Sequence, residues 1–82
     1  MSKKIEPEKL PREVLEKAVV LRDPLKLIFI VLYLNGPTTS AEIAKEVGHA
    51  RAYTNMRLVQ LEGMGLAKRK YDGKKAIFEA VL

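Results

Sequence analysis

The sequence predicts a small α+β domain, mainly α, with helices first and a two-stranded hairpin at the C-terminal end. Three observations predict it. Apolar residues recur at helical spacing as far as Leu61. Past Gly63-Met64-Gly65 that spacing changes to the shorter period of strands. Asp72-Gly73, among the strongest short hairpin signals, divides this last stretch in two. The chain has 82 residues, which is one domain's worth. The expected division is a flexible segment over residues 1–10 and one domain over residues 11–82. Apolar residues make up 48%, enough to build a core.

Each element has its own signals. Pro11 suits the first turn of a helix. Val14, Leu15, Ala18, Val19 and Leu21 follow at helical spacing, so an amphipathic helix is expected over about residues 11–22. Asp23-Pro24 reads as a restart, with Asp23 as cap and Pro24 at the first helical position. Leu25 to Leu34 is apolar nearly all round and must be covered on most sides, by the core or by a second subunit. Asn35-Gly36-Pro37 ends it. Thr39, with Glu42 three residues on, matches a capping box for a helix over Ser40–Val47 that Gly48 stops. Ile43, Ala44 and Val47 face inward along it. A further helix is expected from about Ala50 to Glu62, with Thr54, Leu58 and Leu61 on the core side. Arg51 and Asn55 stand on one flank of it, Tyr53 and Arg57 on the other. Leu66–Tyr71 and Lys75–Val81 read as strands. A two-residue loop at Asp72-Gly73 sets Lys70 against Lys75 and Arg69 against Ala76. Lysines directly opposed in a sheet repel each other and favour an anionic partner.

Charge is unevenly placed. Fifteen basic against ten acidic side chains give a net charge of +5. Residues 49–75 hold Arg51, Arg57, Lys68, Arg69, Lys70, Lys74 and Lys75 against only Glu62 and Asp72, so the surplus lies in that stretch. A confined basic patch on a small domain is the footprint of a polyanion binder. Other classes are disfavoured. With no cysteine, disulfides, zinc–thiolate sites and thiol catalysis are excluded, and a cytoplasmic, chromosome-associated location is expected. The longest apolar run, Leu27 to Leu34, falls far short of the roughly 20 residues of a membrane span. The opening MSKKIEPEK lacks the apolar stretch of a secretory signal. His49 is the only histidine and reads as a turn residue, so neither metal nor cofactor is expected. One histidine, two serines (Ser2 and Ser40) and no cysteine supply no nucleophile–base pair, so no enzyme is expected.

Two short helices joined by a tight turn and followed by a basic hairpin form a helix-turn-helix with a wing. The major groove admits one helix while the preceding helix braces it. The hairpin then brings cations to phosphates or to the minor groove. The expected partner is double-stranded DNA. Arg51 and Asn55 are candidates for base edges, since Arg suits guanine and Asn suits adenine in paired hydrogen bonds. Tyr53, Arg57, Lys68, Arg69, Lys70, Lys74 and Lys75 are candidates for phosphate contact. Thr38, Thr39 and Ser40 are read as capping residues.

The run Asp23-Pro24-Leu25-Lys26-Leu27, then Gly36-Pro37, Glu42-Ile43-Ala44, Gly48, Leu58, Leu61-Glu62 and Gly65-Leu66, resembles the winged helix-turn-helix repressors. It is most similar to the ArsR-like branch and resembles MarR- and TrmB-like archaeal regulators as well, over about residues 23–82. The resemblance implies a sequence-specific, dimeric transcriptional regulator with the helix from Ala50 in the major groove. Metal-sensing members carry a cysteine motif on the helix that here reads Ser40-Ala41-Glu42-Ile43-Ala44-Lys45, so metal sensing does not carry over. Many relatives continue into a C-terminal dimerisation helix where this chain stops at the second wing strand. A homodimer is therefore expected through the N-terminal helix (Val14, Leu15, Ala18, Val19) and the central helix. Ala52, Met56 and Val59 lie opposite the core side of the recognition helix. Met56 there suits a thymine methyl. The same stripe also suits a protein partner, which makes a protein-interaction module without direct DNA binding the alternative function.

Overall fold

Proline and glycine set the joints of the helical part. The computed structural model describes residues 10–82. The flexible segment expected at the N-terminus otherwise lies outside the described residues, but Leu10, assigned to it, is buried in the core. Helix α1 spans Arg12–Ala18 and follows Pro11. It stops short of the expected Arg22. Val19 and Val20 are β-branched, which a helix tolerates less well, and both are exposed. The Leu21 N–H closes a tight turn on the Ala18 carbonyl at 2.9 Å, and Leu21 enters the core.

Helix α2 spans Leu25–Asn35. Asp23 does not cap it. The capping residue is Pro24, joined to Asp23 by a cis peptide, and no side chain accepts a capping bond. Backbone carbonyls do that work: the N–H groups of Lys26 and Ile28 donate to Arg22 and Pro24. Ile28, Phe29 and Leu32 are fully buried within the chain, with α1, α3 (Ser40–Val47), α4 (Arg51–Gly63) and the second strand packed around them. The chain's own core thus covers most of the apolar surface of α2, while Leu34 stays exposed.

Helix α3 has the bounds that its capping signals predict. The Glu42 N–H donates to Thr39 Oγ1 at 3.3 Å, and Gly48 ends the helix at φ +75°, a conformation that costs glycine little. Ile43 and Ala44 face the core. In α4, Thr54, Leu58 and Leu61 face inward. The buried Thr54 hydroxyl is satisfied by donating to the Ala50 carbonyl at 2.9 Å.

Strands β1 (Ala67–Asp72) and β2 (Lys75–Ala80) pair antiparallel. Their register corrects the sequence expectation: the loop moves by one residue and every cross-strand partner by two. Asp72 faces Lys75, Tyr71 faces Ala76, Lys70 faces Ile77, Arg69 faces Phe78 and Lys68 faces Glu79. The loop is therefore Gly73-Lys74. Asp72 in the loop would need positive φ, and among the described residues only glycines adopt it. Gly73 takes φ +63° at the first loop position, the requirement of a type II′ turn. Lys70 and Lys75 are consequently not opposed, and their repulsion gives no reason for an anionic partner. The hairpin is anchored at its base. Thr38 and Phe78 exchange backbone bonds of 2.9 and 2.7 Å, and the Val81 N–H donates to Leu66. No helix among the described residues is long and apolar enough to cross a membrane.

Candidate functional site

The turn between α3 and α4 is short, so the start of α3 and the first two turns of α4 lie side by side. Arg51 opens α4 and Asn55 follows one turn later on the same flank. The hairpin returns beside them because the Thr38–Phe78 pairing fixes β2 against the segment that leads into α3. The result is a cleft of about 440 Å³. Its walls are Thr39, Ser40 and Glu42 from the start of α3, Arg51 and Asn55 from α4, and Lys74 and Lys75 from the hairpin tip. The structure thus brings together four side chains that the sequence marks as candidates: Arg51, Asn55, Lys74 and Lys75.

The electrostatics of the cleft are one-sided. Arg51, Lys74 and Lys75 form no ion pair among the described residues. Glu42 is the one acid in the wall, and the Lys45 ammonium stands 4.0 Å from it. Three unpaired cations around a concave surface favour an anionic occupant.

Other candidates are placed differently. Tyr53 and Arg57 lie outside the cleft on the opposite flank of α4. The Arg57 guanidinium sits 5.0 Å from the Tyr53 ring centroid, and its Nη1 donates to Gln60 Oε1 at 2.8 Å. The His49 ring stacks at a tilt on Tyr53, with centroids 5.2 Å apart. This flank is packed on itself. Lys70 is exposed on β1 beside the tip, also without an ion pair among the described residues. Lys68 pairs with Glu79 across the strands at 3.4 Å.

Arg69 is a correction. It occupies the core-facing side of the hairpin, where its Nη2 donates to Glu62 Oε1 at 2.5 Å and its Nη1 to the Tyr71 hydroxyl at 3.3 Å. Its guanidinium lies 5.2 Å from the Phe78 ring centroid. The Glu62 hydrogen bond, and after it that of Tyr71, raise the Arg69 pKa above its ordinary value. A guanidinium so engaged is a brace between α4 and the wing, not a free phosphate contact. Sequence reasoning missed Glu62 as its partner. The signal was present: an acid in the last turn of α4 and an arginine on the core-facing alternation of β1, seven residues on.

Solved structures share this fold. The crystal structure of a protein described as a predicted DNA-binding transcriptional regulator from E. coli superposes with a TM-score of 0.68. The match covers 87% of this chain and 74% of that one, at 21% identity. The transcriptional repressor BigR from Xylella fastidiosa superposes with a TM-score of 0.65, covering 89% of this chain and 83% of its own, at 17% identity. The fold is a winged helix-turn-helix. No protein-family model matches the sequence, and no curated protein matches it. Within the winged helix-turn-helix, α3 and α4 are the helix pair, β1 and β2 are the wing, and α1 is an additional N-terminal helix.

Proposed function

We propose that this chain binds double-stranded DNA as a small cytoplasmic transcriptional regulator, a repressor of the ArsR-like type. One observation carries the reading: the free cations of the wing tip, Lys74 and Lys75, line the same cleft as Arg51 and Asn55 of α4. A helix in the major groove and a wing on the adjoining backbone need that juxtaposition. Both structural neighbours are described as transcriptional regulators. In this reading Arg51 and Asn55 meet base edges and Lys70, Lys74 and Lys75 meet phosphates. Arg69 holds the wing at its working angle. The protein acts as a homodimer, and Leu15, Val19 and Val20, left exposed on and just after α1, form the apolar part of the contact. Repression follows from occupying the duplex.

The test is an anisotropy titration of the full chain with mixed-sequence duplex over a range of salt, beside sedimentation of the free protein. Affinity falls steeply with salt, and each lysine changed to alanine among Lys70, Lys74 and Lys75 lowers the slope of log K against log salt by about 1. Arg51→Ala costs about 1–3 kcal/mol on a selected site and relaxes base preference there. Parent-like affinity and salt slope in the triple lysine variant would remove the wing from the interface.

A further inference from the structure

The outward face of α4 has an unusual composition for a helix presented to a polar groove. At about 100° per residue, Thr54, Leu58 and Leu61 mark the core side, and Ala52, Met56 and Val59 lie across the helix from them. All three are exposed, Met56 by 53% and Val59 by 40%. No hydrogen-bonding side chain interrupts this stripe. The polar residues stand to its sides: Arg51 and Asn55 toward the cleft, and Gln60 on the other flank, engaged by Arg57. The cleft lined by the free cations Arg51, Lys74 and Lys75 lies on the Arg51–Asn55 flank of the same helix. An apolar strip on a helix whose flank opens on a cation-lined cleft fits an occupant that is apolar at its centre and anionic at its edge.

The major groove offers such a surface. Phosphates form its rim, and the C5-methyl group of thymine is the apolar group it displays. We propose that Met56 and Val59 read thymine methyl groups, so that the target site is specified by methyls along the middle of α4 and by hydrogen bonds from Arg51 and Asn55 at one side. This rests on the DNA-binding reading above and assigns it a recognition chemistry. Methyl contact discriminates thymine from cytosine and from both purines without a polar side chain at the position.

The experiment separates the two readings. Duplexes are selected from a randomised library with the full chain, and the enriched duplex is resynthesised with deoxyuridine for thymidine, one position at a time and then throughout. Uracil keeps the Watson–Crick pairing and removes only the methyl. Affinity for the parent protein is expected to fall roughly fourfold per contacted methyl, the factor that burying one such carbon supplies. Met56→Ala is expected to bind the thymine and uracil forms alike at the position it reads. Its unfolding midpoint should match the parent's, since the side chain is exposed. Equal affinity of the parent for thymine and uracil duplexes would overturn the proposal and assign the stripe to a protein partner. An equal uracil penalty in the parent, Met56→Ala and Val59→Ala would also overturn it, because the methyls would then act through duplex shape. Failure to bind any duplex would overturn the DNA-binding reading itself.

Discussion

At the base of the wing, Lys68 and Arg69 are held by carboxylates, Glu79 and Glu62. At its tip, Lys70, Lys74 and Lys75 form no ion pair among the described residues, although Asp72 faces Lys75 across the strands. The residue types are alike and their surroundings are not. Near the base the hairpin runs against α4 and pairs with Thr38, so its side chains meet other elements. Beyond Tyr71 it leaves the body of the molecule, and its side chains meet only solvent and the cleft. Distance along the hairpin separates cations that build the fold from cations free to bind. A basic run in a sequence is therefore an upper bound on a binding patch.

That comparison can be broken at its base. Phe78 is fully buried under the hairpin, and Phe78→Ala is expected to cost about 3–5 kcal/mol in urea unfolding. A loss under about 1 kcal/mol would mean that the base is not part of the core. Next in size is Arg69→Met, which keeps the length of the side chain and removes the link to Glu62. Its unfolding midpoint should fall by less than that of Phe78→Ala, and Glu62→Gln in the same background should add little, because the two side chains share one interaction. Additive losses would show that Arg69 does not act through Glu62. The smallest effect sharpens the contrast. Glu79→Gln frees Lys68 and should change stability by no more than about 1 kcal/mol, as exposed ion pairs do. Duplex affinity should rise at low salt, since a base lysine then behaves like a tip lysine. An unchanged titration would leave Lys68 outside the interface.

Much of this was legible in the residues. The bounds of α3 follow from Thr39, Glu42 and Gly48 because caps act within one turn. The core side of α4 follows from the spacing of Thr54, Leu58 and Leu61. Asp72-Gly73 announced a hairpin but misplaced its register. Two-residue loops at Asp72-Gly73 and at Gly73-Lys74 are both chemically reasonable, and the packing of Phe78 and Arg69 on the body of the molecule selects between them. The end of α1 was overestimated because Leu21 fits the helical period, yet it reaches the core through a turn.

By itself the sequence determined the order of helices and hairpin, the basic stretch and the apolar stripe of α4, since these depend on neighbours a few positions apart. Only the tertiary structure decided which cations remain free. Glu62 and Arg69, Lys68 and Glu79, and Arg51 and Lys74 meet, or fail to meet, through the docking of the wing. Coulomb attraction depends on distance in space, and spacing along the chain does not supply it.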